Sequence, residues 1–227
     1  MPVDQDAYQQ LKKYCDTNGV QLIAVSKTKP NEDIDLLYSL GQRAFGENYV
    51  QELSKKFEEL PKDIQWHFIG HLQSNKIKYI APFVALIHGV DSLKLLQAID
   101  KEGKKINRII PCLLQVHIAK EESKFGFDTD ELRIAATQIF VEKKFSHVSV
   151  NGLMGMASFI DDQQKLQAEF QKLKSLYEEI RSTYKPDAET FNILSMGMSS
   201  DYKIAVACGS NMIRIGSTLF GARNYNM

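Results

Sequence analysis

Short apolar runs alternate with longer amphipathic stretches along the whole chain. The apolar runs have the length of buried strands, and the stretches between them carry apolar residues three and four positions apart, as helices with one buried face do. Eight runs are predicted as strands, namely Val20–Val25, Arg43–Gly46, Gln65–Ile69, Phe83–His88, Ile110–Val116, His147–Gly152, Thr190–Leu194 and Met212–Ile215. This alternation is typical of strand–helix units that build a parallel sheet.

The clearest predicted helix places five apolar residues on one face and charges on the other. These residues are Leu166, Phe170, Leu173, Tyr177 and Ile180, and Pro186 follows them. The spacing also suits a coiled coil, but the stretch is shorter than the three or four heptads that such an assignment requires. We therefore expect a helix that packs on a sheet.

Two further helices are predicted from their end signals. Asn31 can cap a helix that ends at Gly41, because Asn is a favoured N-cap residue and glycine a favoured C-terminal residue. A second helix is expected to begin near Ser199–Asp201 and to end at Gly209.

Eight strand–helix units in 227 residues give about 28 residues per unit, close to the roughly 31 of a ~250-residue (β/α)8 barrel. No repeat or linker marks a boundary, so we predict a single-domain α/β protein that forms a closed (β/α)8 TIM barrel over residues 1–227. The alternative is a doubly wound open sheet, which would carry a glycine-rich turn after its first strand. Here that turn, Ser26–Pro30, contains no glycine.

Composition narrows the function classes. The chain is 44% hydrophobic, which excludes a disordered protein, and its 28 basic and 28 acidic residues give no net charge. Zero net charge argues against general binding to nucleic acid or to an anionic membrane. Three widely spaced cysteines and a polar N-terminus predict no disulfide framework, no metal site, no secretory leader and a cytoplasmic location.

In a barrel of this kind, functional groups lie at the C-terminal ends of the strands. The first strand is followed by Lys27 and Lys29, which lie on the same side if the strand stays extended. A lysine next to a second ammonium has a lowered pKa and becomes a nucleophile able to form a Schiff base. Two solvated loop lysines are the alternative that this segment leaves open.

The ends of the second and third strands offer two further candidates. Asn48 could point its carboxamide into the barrel mouth, although capping of the next helix is equally compatible with its position. His67 is predicted to face the barrel interior, either toward a ligand or as a hydrogen-bonded core residue. His67 and His71 straddle a strand end, which disfavours a zinc pair.

Small residues follow the last two strands, in Ser195–Asp201 and in Gly216, Ser217 and Thr218. The N–H groups of a helix N-terminus bind anions, and barrels commonly hold phosphate in these two loops. A phosphate site opposite a reactive lysine suits pyridoxal 5′-phosphate (PLP) or the sugar-phosphate substrate of an aldolase. Arg214 favours PLP, because a guanidinium can donate to a pyridine nitrogen and keep it unprotonated.

At these residues the sequence resembles the pyridoxal phosphate homeostasis protein family. The resembling segments are Ala24–Pro30 (AVSKTKP), Phe45–Glu52 (FGENYVQE), Trp66–Lys76 (WHFIGHLQSNK), Val90–Ser92 (VDS), Glu122–Lys124 (ESK), Gly152–Met156 (GLMGM), Leu194–Asp201 (LSMGMSSD) and Met212–Arg223 (MIRIGSTLFGAR). The resemblance implies a PLP-binding barrel of fold type III, similar to the N-terminal domain of alanine racemase.

The resemblance also implies a role for each candidate residue. Lys27 would carry PLP as a Schiff base, with Lys29 tuning the pocket, Asn48 beside the cofactor and Arg214 at the pyridine nitrogen. The phosphate would be held by Ser195, Met196, Ser199, Gly216, Ser217 and Thr218. His88–Gly89 and Val116–Lys120 depart from the expected pattern and receive no role.

The function that the resemblance implies is that of a monomeric, cytosolic regulator of PLP supply without catalytic residues, with PLP-dependent apoenzymes as possible recipients. A weak PLP-dependent amino-acid racemase is the alternative. A racemase of this fold needs a second, mostly β domain and a partner subunit that supplies a tyrosine base. The barrel is expected to use all 227 residues, which favours the regulator.

Overall fold

The computed structural model describes residues 3–119 and 125–221. Its eight parallel strands pair in chain order and close into a barrel through the pairing of the last strand with the first. The strands are β1 (Gln21–Val25), β2 (Ala44–Glu47), β3 (Gln65–Phe68), β4 (Leu86–Val90), β5 (Ile110–Val116), β6 (Val148–Gly155), β7 (Ile193–Ser195) and β8 (Met212–Ile215). The predicted (β/α)8 barrel is confirmed. The Glu122–Lys124 segment and residues 222–223 lie outside the described residues.

Helices surround the barrel. They are α1 (Gln5–Asn18), α2 (Asn31–Ser39), α3 (Val50–Glu59), α4 (Ile77–Ile80), α5 (Leu93–Lys105), α6 (Thr129–Ala136), α7 (Gln163–Tyr184), α8 (Tyr202–Ala207) and α9 (Ser217–Phe220). A 3₁₀ turn at Ser74–Lys76 precedes α4, and a π turn at Thr137–Val141 follows α6. Within residues 3–119 and 125–221, no helix is both long and apolar enough to cross a membrane.

The helix before the first strand, α1, was not predicted. Its N-cap is Asp4, whose carboxylate accepts a hydrogen bond from the Ala7 N–H at 2.9 Å. Tyr8, Leu11 and Cys15 are buried at helical spacing. The Asp4 N–H donates to the Leu219 carbonyl at 2.9 Å, so the first helix is tied to the last one.

The outcome for the predicted helices is mixed. In α7, all five apolar residues of the predicted face are buried, which confirms a helix packed on the barrel. In α8, Asp201 occupies the N-cap position and Gly209 follows the last turn, as expected. The capping role of Asn31 is wrong: Pro30 is the N-cap of α2, and the Asn31 side chain donates to Glu59 at 2.7 Å instead.

Three predicted strands are shifted toward the C-terminus by up to three residues, and β2 is shifted by one residue. β4 begins at Leu86 because Phe83 belongs to a turn, where its ring stacks on Phe57 with 3.8 Å between centroids. β7 begins at Ile193 because the preceding apolar residue, Phe191, closes a turn on Asp187. Apolar side chains that pack against the core from turns therefore extended the predicted runs. The third shift is in β6, which runs to Gly155.

Alternation along the strands separates two apolar clusters. One set of strand side chains faces the helices, and the opposite set fills the barrel interior. The interior cluster consists of Ile23, Ala44, Leu86, Leu113, Met154 and Met212, with Met156 and Ile193 against it. This cluster closes the lower part of the barrel.

The pairing of β5 with β6 contains a bulge that requires a glycine. Cys112 pairs with Val150 and Leu113 with Gly152, so Asn151 is an extra residue on β6. Gly152 has φ +153°, and a Cβ built on it would lie 1.8 Å from the Ile193 carbonyl oxygen on β7. The bulge therefore brings two backbones so close that only glycine fits.

We predict that Gly152→Ala destabilises the protein severely, since the Cβ overlaps backbone that cannot move aside. Gly41→Ala is the matched control, because Gly41 also has positive φ (+97°) but has open space around its Cβ position. The control should cost about 1 kcal/mol of backbone strain, and Gly152→Ala about 3 kcal/mol more. Urea unfolding measures both. Equal losses would show that β6 and β7 separate easily.

Candidate functional site

A cavity of about 680 Å³ opens at the C-terminal ends of the strands. It is lined by Val25, Lys27, Lys29, Asn48, Ile69, Met156, Phe159, Met198, Ser199, Ser200, Arg214, Gly216, Ser217, Thr218 and Gly221. Seven of the predicted site residues, together with Lys29, therefore surround one cavity. The exceptions are Ser195, Met196 and His67, which lie deeper in the barrel.

The two lysines follow β1 on a tight turn. β1 ends at Val25, the Lys29 N–H donates to the Ser26 carbonyl at 3.0 Å, and Thr28 has φ +63°. The strand thus ends at Val25 as predicted, and the condition for placing both lysines on one side, an extended backbone through Lys29, is not met. Both lysines nevertheless line the cavity, because the turn carries them over the barrel mouth. Lys29 Nζ donates to the Phe220 carbonyl at 2.7 Å, which ties the turn to α9.

A buried ionic network holds this turn from the side of β2 and α3. Lys56 Nζ donates to Glu47 Oε1 at 2.8 Å, to Glu52 Oε1 at 2.7 Å and to the Ser26 carbonyl at 2.8 Å. Ser26 Oγ donates to Glu47 at 2.6 Å, and the Thr28 N–H donates to Glu52 at 2.6 Å. The residues on both sides of Lys27 are thus anchored to one ammonium and two carboxylates.

Glu47 is fully buried, and its Oε2 has no hydrogen-bond partner within the described residues. Burial raises the pKa of Glu47 from its ordinary 4.5 to about 7, and the nearby Lys56 and Ser26 offset part of that rise. This network therefore contains a carboxyl group that changes charge near neutral pH.

The loops after β7 and β8 meet at the cavity wall. The Gly216 N–H donates to Ser199 Oγ at 3.3 Å, and Ser217 and Thr218 form the first turn of α9. First-turn N–H groups have no acceptor inside their own helix. Ser199, Ser200, Ser217 and Thr218 thus present hydroxyl and amide donors on one side of the cavity.

Ser195 and Met196 lie beneath this wall. Ser195 is the last residue of β7 and is fully buried. The Met196 N–H already donates to the Met212 carbonyl at 3.2 Å and approaches Ser210 Oγ at 3.4 Å. The phosphate role predicted for these two residues stays a prediction, and the hydroxyl of Ser195 contacts Arg214 and His88 instead.

Arg214 rises from β8 into the cavity and is 4% exposed. Its Nη1 donates to Ser195 Oγ at 2.6 Å and its Nη2 to the Gly155 carbonyl at 3.1 Å. Burial lowers the pKa of Arg214 to about 10, with Asp201 opposing the shift. The guanidinium therefore stays charged at neutral pH, and it can only donate hydrogen bonds.

Behind Arg214, the polar contacts continue through two histidines. Ser195 Oγ lies 3.2 Å from His88 Nδ1, and His88 Nε2 lies 2.9 Å from His67 Nδ1. Of the two alternatives for His67, the structure shows a hydrogen-bonded residue of the barrel interior. Burial lowers the pKa of His67 to about 4 and the pKa of His88 well below 6.5, so both rings are neutral.

Asn48 contributes an unused acceptor. It lines the cavity, and its buried Oδ1 has no hydrogen-bond partner within the described chain. A buried amide oxygen without a partner is costly unless a ligand supplies a donor. The cavity thus offers an amine, a fixed cation, a wall of donors and a free acceptor, the set that a phosphorylated carbonyl compound requires.

Sequence reasoning missed His88, Glu47 and Lys56. His88 follows Leu86 by two residues in a buried strand, and alternation alone places it in the barrel interior. The ion pair between Glu47 and Lys56 joins a strand to a helix at 2.8 Å, and no local spacing signals it. The signal for Glu47 was present only as a charged residue next to the predicted mouth.

Glu47 predicts a pH dependence of stability. Its pKa of about 7 in the folded protein exceeds the ordinary 4.5. Its stabilising contribution is therefore complete below about pH 4.5 and is lost as the pH rises through about 7. The free energy of unfolding should fall by up to about 3 kcal/mol across this range.

Glu47→Gln should remove this part of the slope, as measured by urea unfolding between about pH 5 and about pH 8. Glu58→Gln, on the exposed side of α3, is the control that should keep the wild-type profile. An unchanged slope in Glu47→Gln would mean that another group titrates.

Comparison with known proteins agrees with this geometry. Residues 5–224 match the family described as alanine racemase, N-terminal domain. The "Pyridoxal phosphate homeostasis protein" of Pasteurella multocida is 39% identical over 225 residues, which cover 98% of this chain and 94% of that protein. A solved structure of PipY from Synechococcus elongatus with PLP bound is 37% identical, with a TM-score of 0.80 over 89% of this chain and 93% of that one.

More distant structures share the fold alone. An alanine racemase from Clostridium difficile superposes with a TM-score of 0.72 at 14% identity, and the match covers 99% of this chain but 59% of the racemase. The barrel described here thus corresponds to one part of that longer chain. By sequence and by fold, the chain belongs to the pyridoxal phosphate homeostasis protein family, within the alanine racemase N-terminal domain family.

Proposed function

We propose that this protein binds PLP in the cavity at the barrel mouth, covalently through Lys27, and takes part in PLP homeostasis. The observation that carries the proposal is the convergence of Lys27, Arg214 and the two serine-rich loops on one cavity. The relatives named pyridoxal phosphate homeostasis protein and the PLP-bound PipY structure support it.

The donor set of the cavity fits each part of PLP. PLP supplies an aldehyde carbon that bonds to a lysine amine, and Lys27 would provide that amine. The phosphate would be bound by Ser199, Ser217 and Thr218, whose hydroxyl and amide groups line one wall. Asn48 would receive a donor at its otherwise unpartnered Oδ1.

Arg214 would face the pyridine nitrogen, and this contact bears on catalysis. Because the guanidinium keeps its proton and only donates, the nitrogen that accepts from it stays unprotonated. An unprotonated ring is a weaker electron sink than a protonated one, so the site favours holding PLP over carbanion chemistry.

We further propose that the protein has no robust turnover of its own. Among the described residues that line the cavity, the ionisable side chains are Lys27, Lys29 and Arg214. A racemase needs a second acid or base on the face opposite the lysine that carries PLP. Lys29 does not fill that role readily, because its ammonium is already held by the Phe220 carbonyl. The monomeric state, the cytoplasmic location and the apoenzyme recipients stay predictions.

Covalent attachment is tested by reducing PLP-loaded protein with borohydride and mapping the pyridoxyl group by peptide mass analysis. Lys27→Ala should lose both the adduct and the visible absorbance of bound PLP. Lys29→Ala is the matched control two residues away; it should keep the adduct on Lys27 and release PLP at an altered rate. An adduct on another lysine, or visible absorbance retained by Lys27→Ala, would refute the assignment.

Turnover is tested by incubating the loaded protein with L-alanine in deuterated water. We expect α-proton exchange near the rate that free PLP gives under the same conditions, because nothing described on the opposite face supplies a second base. Exchange accelerated about 10⁶-fold or more, as enzymes achieve, would establish the racemase instead.

A further inference from the structure

A buried polar chain crosses the barrel interior below the cavity. It consists of Arg214, Ser195, His88 and His67, which lie on β8, β7, β4 and β3. All four side chains are buried, and the distances between them are 2.6, 3.2 and 2.9 Å. None of its members except Arg214 lines the cavity, so the chain is separate from the direct ligand contacts.

The chemistry of Arg214 fixes the direction of every hydrogen bond in this chain. Because a guanidinium has no acceptor, Ser195 Oγ accepts from Arg214. Within the described residues, the other hydrogen-bond partner of that hydroxyl is His88 Nδ1. If His88 carried a proton on Nδ1, the buried Ser195 hydroxyl would have no acceptor for its own proton, which is costly. Ser195 therefore donates to His88.

The same reasoning sets the tautomers of both histidines. With Nδ1 as an acceptor, the neutral His88 ring carries its proton on Nε2. That proton is donated to His67 Nδ1 at 2.9 Å, so His67 also carries its proton on Nε2. The burial that lowers the pKa of both rings keeps them in this neutral form.

We propose that Ser195, His88 and His67 are positioning residues, which form a one-directional hydrogen-bond chain from Arg214 and hold its guanidinium for the cofactor ring. The functional half of this proposal rests on PLP binding in the cavity. The structural half, the direction of the chain, holds for the protein without PLP. Arginine has a long side chain with many rotamers, and hydrogen bonds to Ser195 Oγ and to the Gly155 carbonyl hold the Arg214 guanidinium in one position.

The direction of the chain is tested first in PLP-free protein. Long-range ¹⁵N–¹H correlation spectra distinguish the two neutral histidine tautomers and the charged ring. The protein has five histidines, and the signals of His67 and His88 are assigned by their loss in His67→Gln and His88→Asn. We expect both rings as neutral Nε2–H tautomers at neutral pH. A proton on Nδ1 of either ring would overturn the proposed direction.

The positioning role is tested by PLP affinity in a matched pair of variants. In His88→Asn, the amide can take the place of Nδ1 and accept a hydrogen bond from Ser195. In His88→Gln, the amide takes the place of Nε2 and cannot accept from Ser195. We therefore expect His88→Gln and Ser195→Ala to bind PLP about fivefold more weakly than wild type, the equivalent of about one hydrogen bond. His88→Asn should recover most of this loss.

Two controls separate positioning from general damage. His147→Gln changes a histidine that directly precedes β6 and does not line the cavity, and it should bind PLP like the wild type. Thermal unfolding of each PLP-free variant reports stability, and a structural defect would lower the midpoint of His88→Asn and His88→Gln alike.

Equal PLP affinity in His88→Asn and His88→Gln would refute the positioning role. If His88→Gln does not fold, equal PLP affinity in Ser195→Ala and in the wild type would refute the positioning role. Failure of the wild type to bind PLP would refute the proposed function, and the tautomers in the PLP-free protein would still decide the direction of the chain.

Discussion

The rest of the site depends on the burial of the Arg214 guanidinium. An arginine keeps its charge, and a charge inside the barrel requires acceptors within reach. Ser195 and the Gly155 carbonyl supply them at 2.6 and 3.1 Å. Once Ser195 accepts from Arg214, its own proton needs an acceptor as well, and this need extends the polar contacts to His88. One buried charge thus determines which residue types suit the interior positions of β8, β7, β4 and β3.

Strand geometry supplies the places for these residues. His88, Ser195 and Arg214 each follow an apolar residue of the barrel interior by two positions. A step of two residues keeps a side chain on the same face and moves it one layer toward the C-terminal end. The interior is therefore apolar in its lower layer, polar in the next and open to the cavity above. The same periodicity that buries the strands also builds the floor of the site.

This layering explains how much the sequence could predict. Eight strands and the ends that carry functional groups follow from local periodicity, and those ends brought Lys27, Asn48 and Arg214 to one cavity. The depth of Ser195 in the barrel could not be predicted in this way. The sequence placed this residue in a loop, whereas β7 extends through it. The left-handed conformation of Thr28, with φ +63°, could not be predicted either, because no glycine or asparagine marks the position. The contacts that hold this turn, from the Thr28 N–H to Glu52 and from Lys56 to the Ser26 carbonyl, come from a distant part of the sequence.

The two sides of the cavity respond differently to pH. On the Arg214 side, burial keeps both histidines neutral and the guanidinium charged near neutral pH. On the lysine side, Glu47 has a pKa of about 7, and it contacts both Ser26 and Lys56. A change of pH near neutrality therefore acts on the turn that carries Lys27 and leaves the opposite wall unchanged. Under the proposed function, the carboxyl group that titrates near neutrality therefore lies beside the turn of Lys27, the proposed attachment point, and not on the side of Arg214.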